Sequence, residues 1–323
     1  MTFTLEELRA GAERVYLEMP PTPQYAWPLL AQRLGAEVWV KHENHTPTGA
    51  FKVRGGITFI DWVKAAHPDV KGIITATRGN HGQSQARAAR AAGLEAVIIV
   101  PRGNALEKNA AMRGFGAELI EHGDDFDEAR IEALRLAQER GLFMVPAFHP
   151  ELVRGVASYA LELFDAAGEL DSVYVPIGCG SGICSVIAAR DALGLNTKVI
   201  GVVAEGATAA KLSFEAGYLV ETNQARSFAD GVAVRVPVQS AFDIYSKGAD
   251  RIIAVSDDLI AEAIRILWQD THNLAEGAGA VSMAGLLLEQ AQMKGKRVGT
   301  ILCGGNMDQA MTATVLAGGT PAA

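Results

Sequence analysis

Short apolar runs alternate with helix-forming segments along almost the whole chain, and this alternation limits the fold more than any other feature. Ala36–Lys41, Gly72–Ala76, Ala96–Val100, Ala117–Glu121, Ser172–Pro176, Lys198–Val203 and Val298–Cys303 read as strands. Ala26–Leu34, Gln83–Ala92, Lys108–Phe115, Phe126–Arg140, Leu259–Asp270 and Ala278–Ala291 read as helices, with Asp124 or Asp125 near the cap of the fourth. Continuous apolar strands must be covered on both faces, which is the condition of parallel sheets flanked by helices. The expected fold is α/β in two lobes, each an open, mostly parallel sheet. The strand–helix units within 70–148 form the smaller lobe, and residues 1–69 and 149–323 the larger, with Val145–Pro150 as a crossover. A cleft between two such lobes is the default place for a ligand.

The chain has 323 residues, 49% of them hydrophobic, enough for cores of this size. A net charge of −8 argues against nucleic acid and anionic membranes as partners, but leaves room for a small anionic ligand held by local dipoles. Cys179, Cys184 and Cys303 are too few and too scattered for a disulfide framework. The histidines and cysteines show no metal-ligand spacing, so no metal is expected. No run of about 20 apolar residues would span a bilayer. The N-terminal Met-Thr-Phe-Thr-Leu-Glu-Glu-Leu-Arg carries acids and no apolar stretch, unlike a signal peptide, so the expected location is the cytoplasm.

Four segments stand where chemistry is carried. In Thr48-Gly49-Ala50-Phe51-Lys52-Val53-Arg54-Gly55-Gly56 a lysine sits among small and apolar neighbours. A surface lysine has no need of them, whereas a partly desolvated amine is freer to attack a carbonyl and form a Schiff base. Pro176-Ile177-Gly178-Cys179-Gly180-Ser181-Gly182 joins a strand to a helix, and its glycines let backbone N–H groups converge on a phosphate. Its spacing matches neither the dinucleotide fingerprint nor the Walker loop, so a monophosphate is the better fit. Thr75-Ala76-Thr77-Arg78-Gly79-Asn80-His81-Gly82-Gln83 places Asn80, His81 and free N–H donors at a helix start, suited to a carboxylate or a ring oxygen. Leu302-Cys303-Gly304-Gly305-Asn306 ends a strand with a small side chain and two glycines, letting a flat ligand approach the backbone. Taken singly, each has a plain structural explanation: a snorkelling lysine, a tight turn, an Asn-capped turn and a buried core cysteine.

Together, and in this order, the segments resemble the fold type II pyridoxal phosphate enzymes, namely threonine and serine dehydratases, serine racemase and, more distantly, threonine synthase. The resemblance runs from Pro21-Thr22-Pro23 to Asn306. It implies pyridoxal 5'-phosphate as cofactor, Lys52 as the Schiff-base lysine and Phe51 as the aromatic residue beside the ring. It further implies Asn80 on the ring 3-oxygen and Gly178, Cys179, Gly180, Ser181 and Gly182 around the phosphate. Cys303 would face the ring nitrogen, and Glu276 would line the pocket. Thr77, Arg78, Gly79, Asn80 and His81 would hold the substrate carboxylate. The implied reaction is β-elimination from a 3-hydroxy amino acid: Lys52 removes the α-proton, the β-hydroxyl leaves, and a 2-oxo acid and ammonia result. A β-replacement transferase would use much of the same machinery. A homodimer is the family expectation.

The chain departs from the family pattern in places. Cys179 and Ser181 replace glycines of the phosphate loop. Arg78 stands where dehydratases usually carry alanine and serine racemase a serine; an arginine stays charged and cannot shuttle protons, so efficient racemisation is not expected. Arg78 would instead meet a larger or acidic substrate side chain, such as that of phenylserine or 3-hydroxyaspartate, or point to solvent. Lys211 occupies the position of an acid that joins Glu205 in the family's cation site, and the expectation is that its ammonium pairs with Glu205 or a nearby carbonyl in place of a metal. The sequence ends 17 residues after Asn306, leaving no room for the regulatory domain of biosynthetic threonine dehydratases, so a catabolic role is expected.

Overall fold

A computed structural model describes residues 2–323. Along the chain run α1 (Leu5–Tyr16), β1 (Gln24–Ala26), α2 (Pro28–Leu34), β2 (Glu37–His42), α3 (Lys52–Ala66), β3 (Gly72–Ala76), α4 (Asn80–Ala91), β4 (Glu95–Val100), α5 (Leu106–Gly114), β5 (Glu118–Glu121), α6 (Phe126–Arg140), β6 (Phe143–Met144) and α7 (Pro150–Ala167). They continue as β7 (Ser172–Pro176), α8 (Ser181–Ala192), β8 (Lys198–Ala204), α9 (Ala209–Ala216), α10 (Gln239–Gly248), β9 (Arg251–Val255), α11 (Asp257–Thr271), α12 (Gly277–Leu288), α13 (Gln290–Met293), β10 (Arg297–Leu302) and α14 (Gln309–Leu316).

The strands form two sheets. A six-stranded sheet has the order β1-β2-β10-β7-β8-β9, and a four-stranded sheet the order β5-β4-β3-β6. Every pairing is parallel except β1 with β2. The reason is visible in the strands themselves. All five residues of β3 and of β7 are buried, as covering by helices on both faces requires. The mixed α/β fold with parallel sheets is thus the one expected.

The structure moves some boundaries. Gln24–Ala26 pairs antiparallel with β2, and the helix expected from Ala26 begins at Pro28, whose ring presets the helical φ and needs no N–H partner. The helix expected from Gln83 begins at Asn80, so Asn80 and His81 lie in its first turn with Gly79 at the cap position. Helices α3 and α7 were not anticipated. They cross at glycines: a Cβ on Gly55 would come 2.7 Å from the Leu152 carbonyl oxygen, and one on Gly155 would collide with that of Arg54. In the sequence such glycines read as helix breakers, whereas here they permit close approach.

A buried charge network fixes the start of α3. The fully buried Arg54 donates from Nε to Glu43 at 2.7 Å and from Nη1 to Glu162 at 2.6 Å and Ser158 at 2.8 Å. Lys41, also fully buried, donates to Glu162 and to the Thr22 carbonyl. Burying charges is costly unless each is paired, and here two cations meet two carboxylates. The network ties β2, α3 and α7 together two residues from Lys52.

Candidate active site

The segment before α3 lies against the segment after β10. Phe51 N–H donates to the Cys303 carbonyl at 3.0 Å, Ala50 bridges Gly304, and Gly305 N–H donates to the Gly49 carbonyl at 2.9 Å. Lys52 is thereby placed beside Cys303. Its Nζ stands 4.6 Å from the centre of the Phe51 ring, a cation–π contact. That ring in turn packs edge-on to Tyr159, 6.1 Å between centres. Tyr159 Oη donates to the Gly182 carbonyl at 3.1 Å, and a Cβ on Gly182 would lie 3.8 Å from Phe51. The Lys52 segment and the 178–182 loop therefore share one wall.

Two of the loop's glycines admit no side chain. A Cβ on Gly178 would collide with the Gly231 carbonyl oxygen. Gly180 adopts φ of 99°, a left-handed conformation, and a Cβ there would come 2.6 Å from Ala241. Ser181 is buried at the first position of α8, and Cys179 is half-buried. Burial pushes the Cys179 thiol up, partly offset by Lys52, so it stays protonated. No side chain caps α3, α4, α8 or α12, whereas Thr4, Asp125, His149 and Ser256 cap α1, α6, α7 and α11. At α4 and α8 the first-turn N–H groups thus remain available to an anion.

Asn80 joins the two sheets. Its Nδ2 donates to Glu276 Oε1 at 2.5 Å, while its Oδ1 accepts from Asn306 Nδ2 at 2.8 Å. Asn306 also donates to the Thr48 carbonyl at 2.8 Å. Thr77 is buried and its hydroxyl accepts from Gly79 N–H at 3.2 Å. His81 carries a buried Nε2 without a partner; burial first, and the neighbouring Lys52 second, hold its pKa down at about 3, so the imidazole is neutral. Cys303 is buried and its thiol donates to the Ala278 carbonyl at 3.3 Å; burial, reinforced by Glu276, keeps it protonated. Glu276 is buried at the start of α12, and burial pushes its carboxyl up against the pull of Lys108.

The structure therefore brings together Phe51, Lys52, the 178–182 loop, Asn80, His81, Glu276 and Cys303. Arg78 is exposed and forms no ion pair or hydrogen bond among the described residues. Lys211 corrects an expectation: it pairs with Glu215 at 2.5 Å, not with Glu205, because four residues along α9 bring the two onto one face. Among the described residues no group of three or more potential ligands could hold a metal ion, and no helix is long and apolar enough to cross a membrane. A groove of about 190 Å³, lined among others by Arg14, Glu18, Asp61 and Lys64, shares no residue with this constellation.

Two participants escaped the sequence. Lys108, from α5, donates to Asp230 at 2.7 Å and lies 3.5 Å from Glu276 Oε2. A lone lysine in a helical stretch reads as solvated surface, and Asp230 stands in a segment without periodicity; neither carries a local signal.

A family model for pyridoxal-phosphate dependent enzymes matches residues 15–304, and the chain belongs to that family. It is 35% identical over 297 residues to the biosynthetic L-threonine dehydratase of Salmonella typhimurium, covering 91% of this chain and 58% of that protein. It is 30% identical over 316 residues to L-threo-3-hydroxyaspartate ammonia-lyase of Saccharomyces cerevisiae, covering 98% and 97%. Among solved structures, the processed form of threonine deaminase isoform 2 from Solanum lycopersicum matches with a TM-score of 0.89 at 29% identity, covering 98% of this chain and 94% of that one. The chain thus spans little more than half the length of the Salmonella enzyme.

The residues present fit the family's cofactor. The glycine loop with uncapped α8 offers N–H donors to a phosphate, Asn80 keeps a second amide hydrogen beyond the one given to Glu276, and Lys52 stands beside an aromatic ring and a neutral thiol.

Proposed function

We propose that the protein is a pyridoxal phosphate-dependent ammonia-lyase that eliminates the β-hydroxyl of a 3-hydroxy amino acid as water. The resulting enamine then tautomerises and takes one water back in hydrolysis, so that the net products are a 2-oxo acid and ammonia. The observation that carries this reading is the placement of Lys52: one wall holds Phe51 and the 178–182 loop, and the facing strand end presents a protonated Cys303. When bound, the cofactor supplies an electron sink for the pair left at Cα after proton loss. Lys52 Nζ would be the attachment point for the cofactor, and its free amine would be the base that takes the Cα proton. The N–H groups of Gly178 to Gly182 hold the phosphate, and Asn80 Nδ2 holds the ring oxygen. Cys303, a neutral thiol rather than a carboxylate, would offer the ring nitrogen no charged partner, a setting suited to elimination. Thr77, Arg78, Gly79, Asn80 and His81 bind the substrate carboxylate at the uncapped start of α4.

Threonine or serine is the default substrate. Arg78 supports a second reading, an acidic or aryl side chain, because its guanidinium is exposed and unpaired among the described residues. The yeast relative, which matches over nearly its whole length, is named for 3-hydroxyaspartate. We assign residues 70–148 to the smaller lobe, supported by strands that all lie between Gly72 and Met144. Unpaired Cys179, Cys184 and Cys303 support a reducing, cytoplasmic location. The exposed apolar side chains of Leu17, Tyr25 and Leu29 support a homodimer, and sedimentation at the monomer mass would refute it. For the cofactor assignment the test is the visible spectrum. Purified protein mixed with pyridoxal phosphate shows a Schiff-base band that Lys52→Ala lacks; the same band in both proteins overturns the assignment.

A further inference from the structure

Helix α5 belongs to the four-stranded sheet, between β4 and β5, yet its first turn reaches the other body at separate points. Glu107 accepts from Gln309 N–H at 3.0 Å. Lys108, with a side chain 9% exposed, meets Asp230 at 2.7 Å and Glu276 Oε2 at 3.5 Å. Its stem lies across the substrate loop, where a Cβ on Gly79 would come 2.6 Å from Lys108 Cδ. Glu276 uses its other oxygen for Asn80, and Asn80 is held from the opposite side by Asn306. One cation thus closes a chain of contacts, Asp230–Lys108–Glu276–Asn80–Asn306, that links α4 and α5, beside the four-stranded sheet, with the start of α12 and the segment after β10 of the six-stranded one.

We propose that Lys108 is a positioning residue that latches the Thr77–Gln83 loop onto the six-stranded body and, through Glu276, sets the orientation of Asn80. It answers two carboxylates with a single charge. Without it, the buried Glu276 would face the partly exposed Asp230 with no counter-charge, and its carboxyl would be pushed further toward the protonated form. The charged and titratable groups facing Lys108 are Glu276, Asp230 and Asp308; those facing Glu276 are Lys108, Asp230 and Cys303. The latch is a property of the apoprotein. Its effect on the bound cofactor rests on the function proposed above.

Lys108→Met and Lys108→Arg, made in the full chain, separate the two. In hydrogen–deuterium exchange without cofactor, Lys108→Met speeds exchange of amides 77–83 by about tenfold or more while β4 stays as protected as in the wild type. Lys108→Arg restores protection. In a pyridoxal phosphate titration, the pH at which the bound chromophore changes moves up by about one unit in Lys108→Met, because losing a nearby cation favours the protonated form. A merely structural role would lower affinity without moving that pH. Unchanged exchange at 77–83, or faster exchange spread evenly over β4 as well, overturns the latch whatever the cofactor does. An unmoved titration together with a loosened loop overturns the step through Glu276 and Asn80. A wild type that takes up no pyridoxal phosphate refutes the proposed function instead, and the exchange result still decides the latch.

Discussion

Arg54 shows what a single residue contributes to the placement of Lys52. Its guanidinium reaches Glu43 and Glu162 with no solvent exposure, and both acids lie on neighbouring elements. Replacing it by methionine keeps much of the volume but strands two carboxylates beside a single cation, Lys41. The expected cost is about 3–5 kcal/mol in urea unfolding; a loss below about 1 kcal/mol would mean that the network is solvated in solution. Lys52, Asn80, Cys303 and the 178–182 loop were legible because local composition betrays them: glycines and small residues flank a reactive or polar side chain. Lys108 and Asp230 were not, because what makes them notable is a meeting of residues 122 positions apart. Lys211 misled for the complementary reason, since its pairing is local and helical rather than with the acid before it.

At the level of elements, the strand ends and helix starts carry the residues of the proposed site. Helix α8 begins directly from the left-handed Gly180, and α4 from Gly79, neither with a side-chain cap. Gly180→Ala places a Cβ 2.6 Å from Ala241 and asks an L-residue to hold φ of 99°. It should weaken pyridoxal phosphate binding by about tenfold or more, for a strain of roughly 1–3 kcal/mol, as read by absorbance titration; unchanged affinity would remove the loop from the phosphate site. Strands were read well from sequence because buried parallel strands are continuous apolar runs, and Gly72–Ala76 and Ser172–Pro176 match to the residue. Helices α3 and α7 were lost because their mutual approach is built on glycines, and β9 because its edge position leaves residues half-exposed.

The whole molecule carries a pH dependence set by buried histidines. Burial, with His45 and Lys41, holds the pKa of His42 down at about 4 from an ordinary 6.5. His81, held at about 3, acts in the same direction. Between pH 6.5 and 4 the unfolded chain binds protons that the folded one refuses, so this stability is complete above 6.5 and declines as pH falls, by up to about 1.4 kcal/mol per unit for each histidine. Urea midpoints should fall from pH 7 to pH 5, and less steeply in His42→Gln; an identical slope in both proteins would exclude His42 from the effect. The arrangement of the sheets followed from alternation along the chain, but their closure over the site did not, because it depends on contacts between distant segments such as Asn80 with Glu276. The central claim concerns what that closed site does, and it is tested by incubating the pyridoxal phosphate-loaded protein with threonine, serine, phenylserine and 3-hydroxyaspartate while ammonia and 2-oxo acid are measured together. The account predicts equimolar release of both from at least one of these substrates and none with Lys52→Ala. Release undiminished in Lys52→Ala, or no release from any of them by a protein that shows the Schiff-base band, would contradict it.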